Sequence, residues 1–168
     1  LYSQHKEFLD EFPGRTWKDI QSALTKKDIA IEFVTCCSDA GATVFTAAIL
    51  LRKDWDSPKI VNLGDAKQFN AVLKNTPRVY RDNDALYALV WDKITPYLKG
   101  VNTIYLSPHG ALSQINIEVL ENPKGKPMNQ VYDVYRLSST GNICESTHER
   151  YLSDATLYGG LYYDTSVE

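Results

Sequence analysis

Three cysteines and three histidines are the side chains of this chain whose types could support nucleophilic catalysis: Cys36, Cys37 and Cys144, with His5, His109 and His148. A thiol becomes a nucleophile when an imidazole beside it takes its proton, and the intermediate that follows needs backbone N–H groups to hold its oxyanion. The stretch VNTIYLSPHGALSQINIEVL, Val101 to Leu120, brings a histidine to the end of an apolar, β-branched run. His109 is therefore a candidate general base, with Cys144 as its candidate nucleophile. The competing reading of SPHG is a turn whose backbone is set by Pro108 and Gly110. Cys144 follows the polar stretch SSTGNI, which reads as a loop or a helix start. Cys36 and Cys37 follow the strand-like IAIEFVT. Adjacent residues of a strand point to opposite faces, so one of these thiols is expected to be buried and the other to sit at the strand end.

The remaining motifs carry less chemistry. An odd number of cysteines, two of them adjacent, does not make a disulfide framework. No C-x-x-C occurs and the histidines lie far apart, so no metal site is expected. Gly159-Gly160 lacks the G-x-G-x-x-G pattern and no Lys-Ser/Thr follows it. It reads as a turn permitting positive φ, and no cofactor is expected. The tyrosines of VYDVYRL and LYYD recur with strand period and read as half-buried sheet residues. Trp17, Trp55 and Trp91 read as packing residues. His148, in STHERY, reads as part of a solvated helix face, and His5 as part of a tail belonging to an upstream helical region.

The whole chain narrows the function classes further. At 168 residues, 43% hydrophobic and 23% charged, it has the size and composition of one globular domain with its own core. The net charge of -3 includes no Lys/Arg cluster, so neither nucleic acid nor an anionic membrane is an expected partner. The longest apolar run, near Thr43 to Leu51, is too short to cross a bilayer. Free thiols and the absence of a signal peptide fit the cytoplasm. The sole methionine is Met128 and the chain starts at Leu1, so a piece of a longer polypeptide is expected.

These residues must be positioned by elements that the pattern predicts. Thr16 can cap a helix with Asp19 in its first turn, running to about Leu24 with Ile20, Ala23 and Leu24 inward. DIAIEFVT alternates, with Ile29, Ile31 and Phe33 on one side. Ser38 to Gly41 reads as a turn. Strands Ile29 to Thr35, Val44 to Leu51 and Lys59 to Leu63 form an expected antiparallel meander. Asp65 to Asn75 reads as a short helix. A longer one, capped by Asp84, carries a stripe of Leu86, Leu89, Val90 and Ile94, ends near Thr95 before Pro96, and stops by Lys99-Gly100. The strand Val101 to Leu106 follows. NPKGKPMN, Asn122 to Asn129, reads as a loop, then VYDVYRL, Val131 to Leu137, as a strand. Strands separated by helical segments predict an α/β fold whose mixed sheet contains Val101–Leu106, Val134–Leu137 and Thr156–Tyr158, with flanking helices.

DIAIEFV, IYLSPHGALSQINIEVL, YRLSST and ATLYGGLYYD stand in the order and approximate spacing of CHAT domains. Over about Thr16 to Asp164 the chain resembles this family of caspase- and separase-related cysteine peptidases, usually found after tetratricopeptide repeats. The resemblance implies a caspase-like mixed sheet and a division of the chain: residues 1–15 as the tail of an upstream helical region or a linker, and residues 16–168 as the N-terminal, pseudo-protease half. In the family the catalytic His-Gly and the nucleophilic cysteine lie beyond the segment that looks like LYGGLYYD. Relatives accept aspartate or serine where His109 stands, and caspase-like nucleophiles follow a buried apolar strand, unlike Cys144. No catalytic residue is therefore assigned here. The implied partners are a downstream catalytic half of the same polypeptide, upstream tetratricopeptide repeats, and a protein substrate or regulator. The alternative is a stand-alone interaction scaffold without peptidase activity.

Overall fold

A computed structural model describes residues 15–37, 43–73 and 83–144. The fold is α/β, built on a five-stranded mixed sheet. In chain order its elements are helix α1 (Trp17–Ala23), strands β1 (Asp28–Cys37), β2 (Thr43–Arg52) and β3 (Lys59–Asp65), helices α2 (Ala66–Leu73) and α3 (Asn83–Val90), strand β4 (Thr103–Ser107), the one-turn helix α4 (Met128–Val131) and strand β5 (Asp133–Arg136). The sheet order is β3-β2-β1-β4-β5. β1, β2 and β3 form the expected antiparallel meander. β4 runs parallel to β1, and β5 parallel to β4.

Alternation along the strands creates two faces. Ile29, Ile31 and Phe33 of β1, Ala48 and Leu50 of β2, Leu63 of β3, and Ile104 and Leu106 of β4 are buried in the main core. Leu86, Val90 and Ile94, the predicted stripe of α3 and its continuation, pack into the same core, and Leu89 is half-buried beside it. Trp91 is completely buried there and its indole N–H donates to the Ile117 carbonyl at 2.9 Å. The opposite face carries a smaller cluster of Leu24, Ala30 and Leu51, covered by Trp17, Ile20, Tyr105 and Ile143.

Local chemistry accounts for the helix starts. Thr16 and Asp19 form a reciprocal capping box: the Thr16 amide donates to Asp19 at 2.7 Å and the Asp19 amide to the Thr16 hydroxyl at 3.4 Å. Asp65 and Gln68 exchange the same pair of bonds at the head of α2. Asp65 therefore lies outside the helix as its cap, which runs from Ala66 to Leu73. Regular α-helix ends at Val90, earlier than the expected end near Thr95, and the chain continues as turns and a 3₁₀ turn over Thr95–Tyr97 that carries Pro96.

Several sequence expectations are corrected. Ala23 is exposed, because a stripe of Trp17, Ile20 and Leu24 turns it away from the sheet. β4 starts at Thr103 and extends to Ser107; Val101 is buried but precedes the strand. Asn122 to Asn129 is more ordered than a loop. The Asn122 side chain accepts from the Lys124 and Lys126 amides, Gly125 adopts φ +69°, and Glu121 bridges to Pro127. Met128, buried in the core, then opens α4. Val131 ends that helix, so β5 begins at Asp133. The Ser38–Gly41 turn, Asn75, the strand at Thr156–Tyr158 and all but Arg15 of the 1–15 tail lie outside the described residues.

Two outcomes test this account. Trp91→Ala removes the largest fully buried side chain, and chemical denaturation should show a loss of roughly 3–5 kcal/mol. The Asp19 carboxyl is held below the usual carboxylate range, first by the Thr16 hydroxyl and then by the Thr16 amide. A lowered pKa in the folded state stabilises above the unfolded value and is lost as pH falls through the folded one. Acid titration should therefore loosen α1, read as quenching changes at Trp17, and Asp19→Asn should remove that acid-dependent component.

Candidate functional site

In α/β sheets, ligands gather beyond the carboxyl ends of parallel strands. Here those ends belong to β1, β4 and β5, and one carboxylate ties the region together. Glu32 stands opposite Ser107 in the β1–β4 register. Its Oε1 accepts from the Ser107 hydroxyl at 2.8 Å. Its Oε2 accepts from the Thr140 amide at 2.8 Å and the Thr140 hydroxyl at 2.5 Å. Ser107 Oγ also lies 3.2 Å from the Ser138 carbonyl, but a hydroxyl has one proton and the shorter, charged acceptor is favoured. Ser107 and Thr140 are buried. The carboxylate thus links two strands to the segment that leaves the third.

A second clamp holds the segment after β4. Arg136, at the end of β5, donates to both Glu118 oxygens at 3.0 and 2.9 Å and to the Ile115, Leu112 and Ser113 carbonyls at 3.0–3.2 Å. Glu118 is buried, so this pairing supplies the counter-charge that a buried carboxylate requires. The same guanidinium caps carbonyls at the end of the Gly110–Gln114 3₁₀ helix, where the Leu112 carbonyl also accepts from the Ile115 amide.

His109 lies in sequence between Ser107 of the first clamp and Leu112 of the second, at the exposed start of the 3₁₀ helix over Gly110–Gln114. Among the described residues its side chain forms no hydrogen bond, and none joins it to Cys144. The turn reading of SPHG has a steric basis. Gly110 adopts φ +59°, and a Cβ there would come 2.9 Å from the Thr35 hydroxyl. Cys144 closes a 3₁₀ helix over Thr140–Cys144, whose Ile143 packs under α1. Cys36 and Cys144 are half-buried free thiols; the Cys37 side chain is outside the described set. His5, His148, Gly159-Gly160 and LYYD also lie outside it.

The aromatic residues mostly pack. Trp55 meets Tyr97 edge to face at 5.9 Å, with the Lys59 ammonium 4.4 Å from the Trp55 ring. Tyr105 and Tyr135 stack at 5.5 Å, but Tyr135 is 55% exposed, more than a half-buried sheet residue should be. Burial, then Asp28 and Tyr135, raises the Tyr105 phenol above its ordinary value; burial, then Tyr87, does so for Tyr132. Both phenols are therefore neutral at physiological pH.

An open polar cleft of about 540 Å³ lies between α3 and the 121–127 hairpin, with Asp84, Asp92 and Glu121 on its walls. Among the described residues no group of three or more His, Cys, Asp or Glu side chains is arranged to hold a metal ion, and no helix is long and apolar enough to cross a membrane. The chain matches no family model, no curated protein and no solved structure.

Glu32 and Arg136 were not singled out as site residues from the sequence. No local spacing marks them, since Glu32 meets Thr140 across 108 positions. Replacing Glu32 with Ala should leave the buried Thr140 hydroxyl without its acceptor and Ser107 with only the longer contact to the Ser138 carbonyl. Equilibrium unfolding should show a loss of about 1–3 kcal/mol, and Glu32→Gln a smaller one.

Proposed function

We propose that this chain is the non-catalytic, N-terminal half of a CHAT-type caspase-like cysteine endopeptidase. In this reading it supports a downstream catalytic half of the same polypeptide and docks upstream tetratricopeptide repeats. The observation that carries the proposal is the tied-off carboxyl edge of the parallel strands. Where a catalytic caspase-like sheet needs an accessible imidazole, a thiol and an oxyanion site, Glu32 instead binds Ser107 and Thr140, with both hydroxyls buried. His109 is exposed and without a bonded thiol among the described residues, which suits a turn residue on a scaffold. The mixed five-stranded sheet with flanking helices is of the broad α/β class that the resemblance implies. The free thiols Cys36 and Cys144 fit a reducing cytoplasm.

The proposal is tested by incubating residues 1–168 with a broad peptide library and a thiol-reactive active-site probe, beside the longer polypeptide carried to the end of its gene. The short chain should cleave nothing, and the longer one should cleave through a His-Gly and a cysteine encoded beyond residue 168. Cleavage by the short chain that is abolished by His109→Ala or Cys144→Ala overturns the non-catalytic assignment. A longer polypeptide without that His-Gly and cysteine pair overturns the peptidase assignment and favours an interaction scaffold.

A further inference from the structure

Among the described residues no strand lies outside β5; the strand is short and carries the exposed Asp133, but this edge lacks the other usual protections. It has no proline and no bulge, and its one cation, Arg136, is drawn onto Glu118 and loop carbonyls. The Asp133 amide donates to the Asn102 carbonyl and the Leu137 amide to the Leu106 carbonyl. In a parallel ladder the odd-numbered residues of β5 thus face β4, and Val134 and Arg136 direct their N–H and C=O groups outward. No hydrogen bond among the described residues reaches those four groups. Beside them Tyr135 stacks on Tyr105 yet stays 55% exposed.

We propose that this edge pairs with β5 of a second copy, antiparallel, about a two-fold axis beside Tyr135. The register follows from which groups face outward. Val134 lies opposite the partner's Arg136, and each of the two such pairs exchanges both backbone bonds. Tyr135 then faces the partner's Tyr135 in the closer, non-hydrogen-bonded pairing, so the Tyr105–Tyr135 stack becomes a row of four rings on one face. Asp133 falls opposite the partner's Leu137. No like charges stand opposite one another, whereas a register centred on Arg136 would set two guanidinium groups together. The strand is thus complementary to itself, as a two-fold contact requires. Two sheets join into one of ten strands. Four residues a side make a small interface, so the association is weak and concentration-dependent.

Sedimentation of the 168-residue chain over a dilution series reaching about 1 mM tests it. The mass should rise from monomer to dimer with concentration. Tyr135→Lys, which sets two ammonium groups face to face, should weaken the dimer at least about tenfold, whereas Tyr135→Phe should keep it. Val134→Pro removes an outward N–H that β4 does not use, so circular dichroism should show a retained fold and sedimentation a monomer. If Val134→Pro fails to fold, the Tyr135 pair decides. A chain that stays monomeric at about 1 mM, leaving the edge to some other segment or partner, overturns the proposal. So does a dimer that survives Tyr135→Lys, or one that survives a folded Val134→Pro.

Discussion

Every strand of this sheet takes its position from β1, which is hydrogen-bonded on both sides. Toward β2 it pairs antiparallel over nine registered positions from Ile29 to Cys37, and toward β4 it pairs parallel over five. That mixed pairing divides the molecule. On the meander side, short connections suffice. On the parallel side the chain must cross over, and the crossover supplies α2, α3 and the buried Trp91 that fill the main core. Burial follows the same strand: Ile29, Ile31 and Phe33 lie on the densely covered face, while Ala30 and Glu32 belong to the other.

The two faces use different chemistry. The core face is a continuous apolar layer whose polar contacts are few and specific, such as the Trp91 indole on the Ile117 carbonyl. The other face is covered by a two-turn helix and a 3₁₀ turn, and its apolar cluster is small. Polar bonds supplement it: Arg15 donates to the Gly141 carbonyl at 2.7 Å, Gln21 to the Arg52 and Trp55 carbonyls, and Glu32 receives Ser107 and Thr140. Here geometry is fixed by direction, since a hydrogen bond weakens steeply off its axis, whereas apolar burial is non-directional.

What was legible in the sequence was periodic or local. The alternation of Ile29, Ile31 and Phe33 and the stripe of Leu86, Val90 and Ile94 each report a buried face, and both lie where the pattern put them. Thr16 with Asp19 is a local cap. Two local signals are misleading. Pro127 before the apolar Met128 starts a helical turn, and Val131, β-branched and near a strand, ends that turn because its neighbours bond backward to Pro127 and Met128. Long-range polar pairs leave no such trace. The Glu32–Thr140 and Arg136–Glu118 contacts join charged residues that read individually as surface, and only the folded chain brings them together.

The Glu32 bridge also bears on how the chain folds. Its partners are 75 and 108 residues away, while the β1–β2–β3 meander closes within Asp28–Asp65. Loop-closure entropy makes distant contacts costly before native interactions offset them, and rates fall as contacts become less local. The meander is thus the natural nucleus, and β4 and β5 join a surface already formed. Until Ser107 and Thr140 arrive, the Glu32 carboxylate remains hydrated on an open strand, and its desolvation belongs to the last stage of assembly.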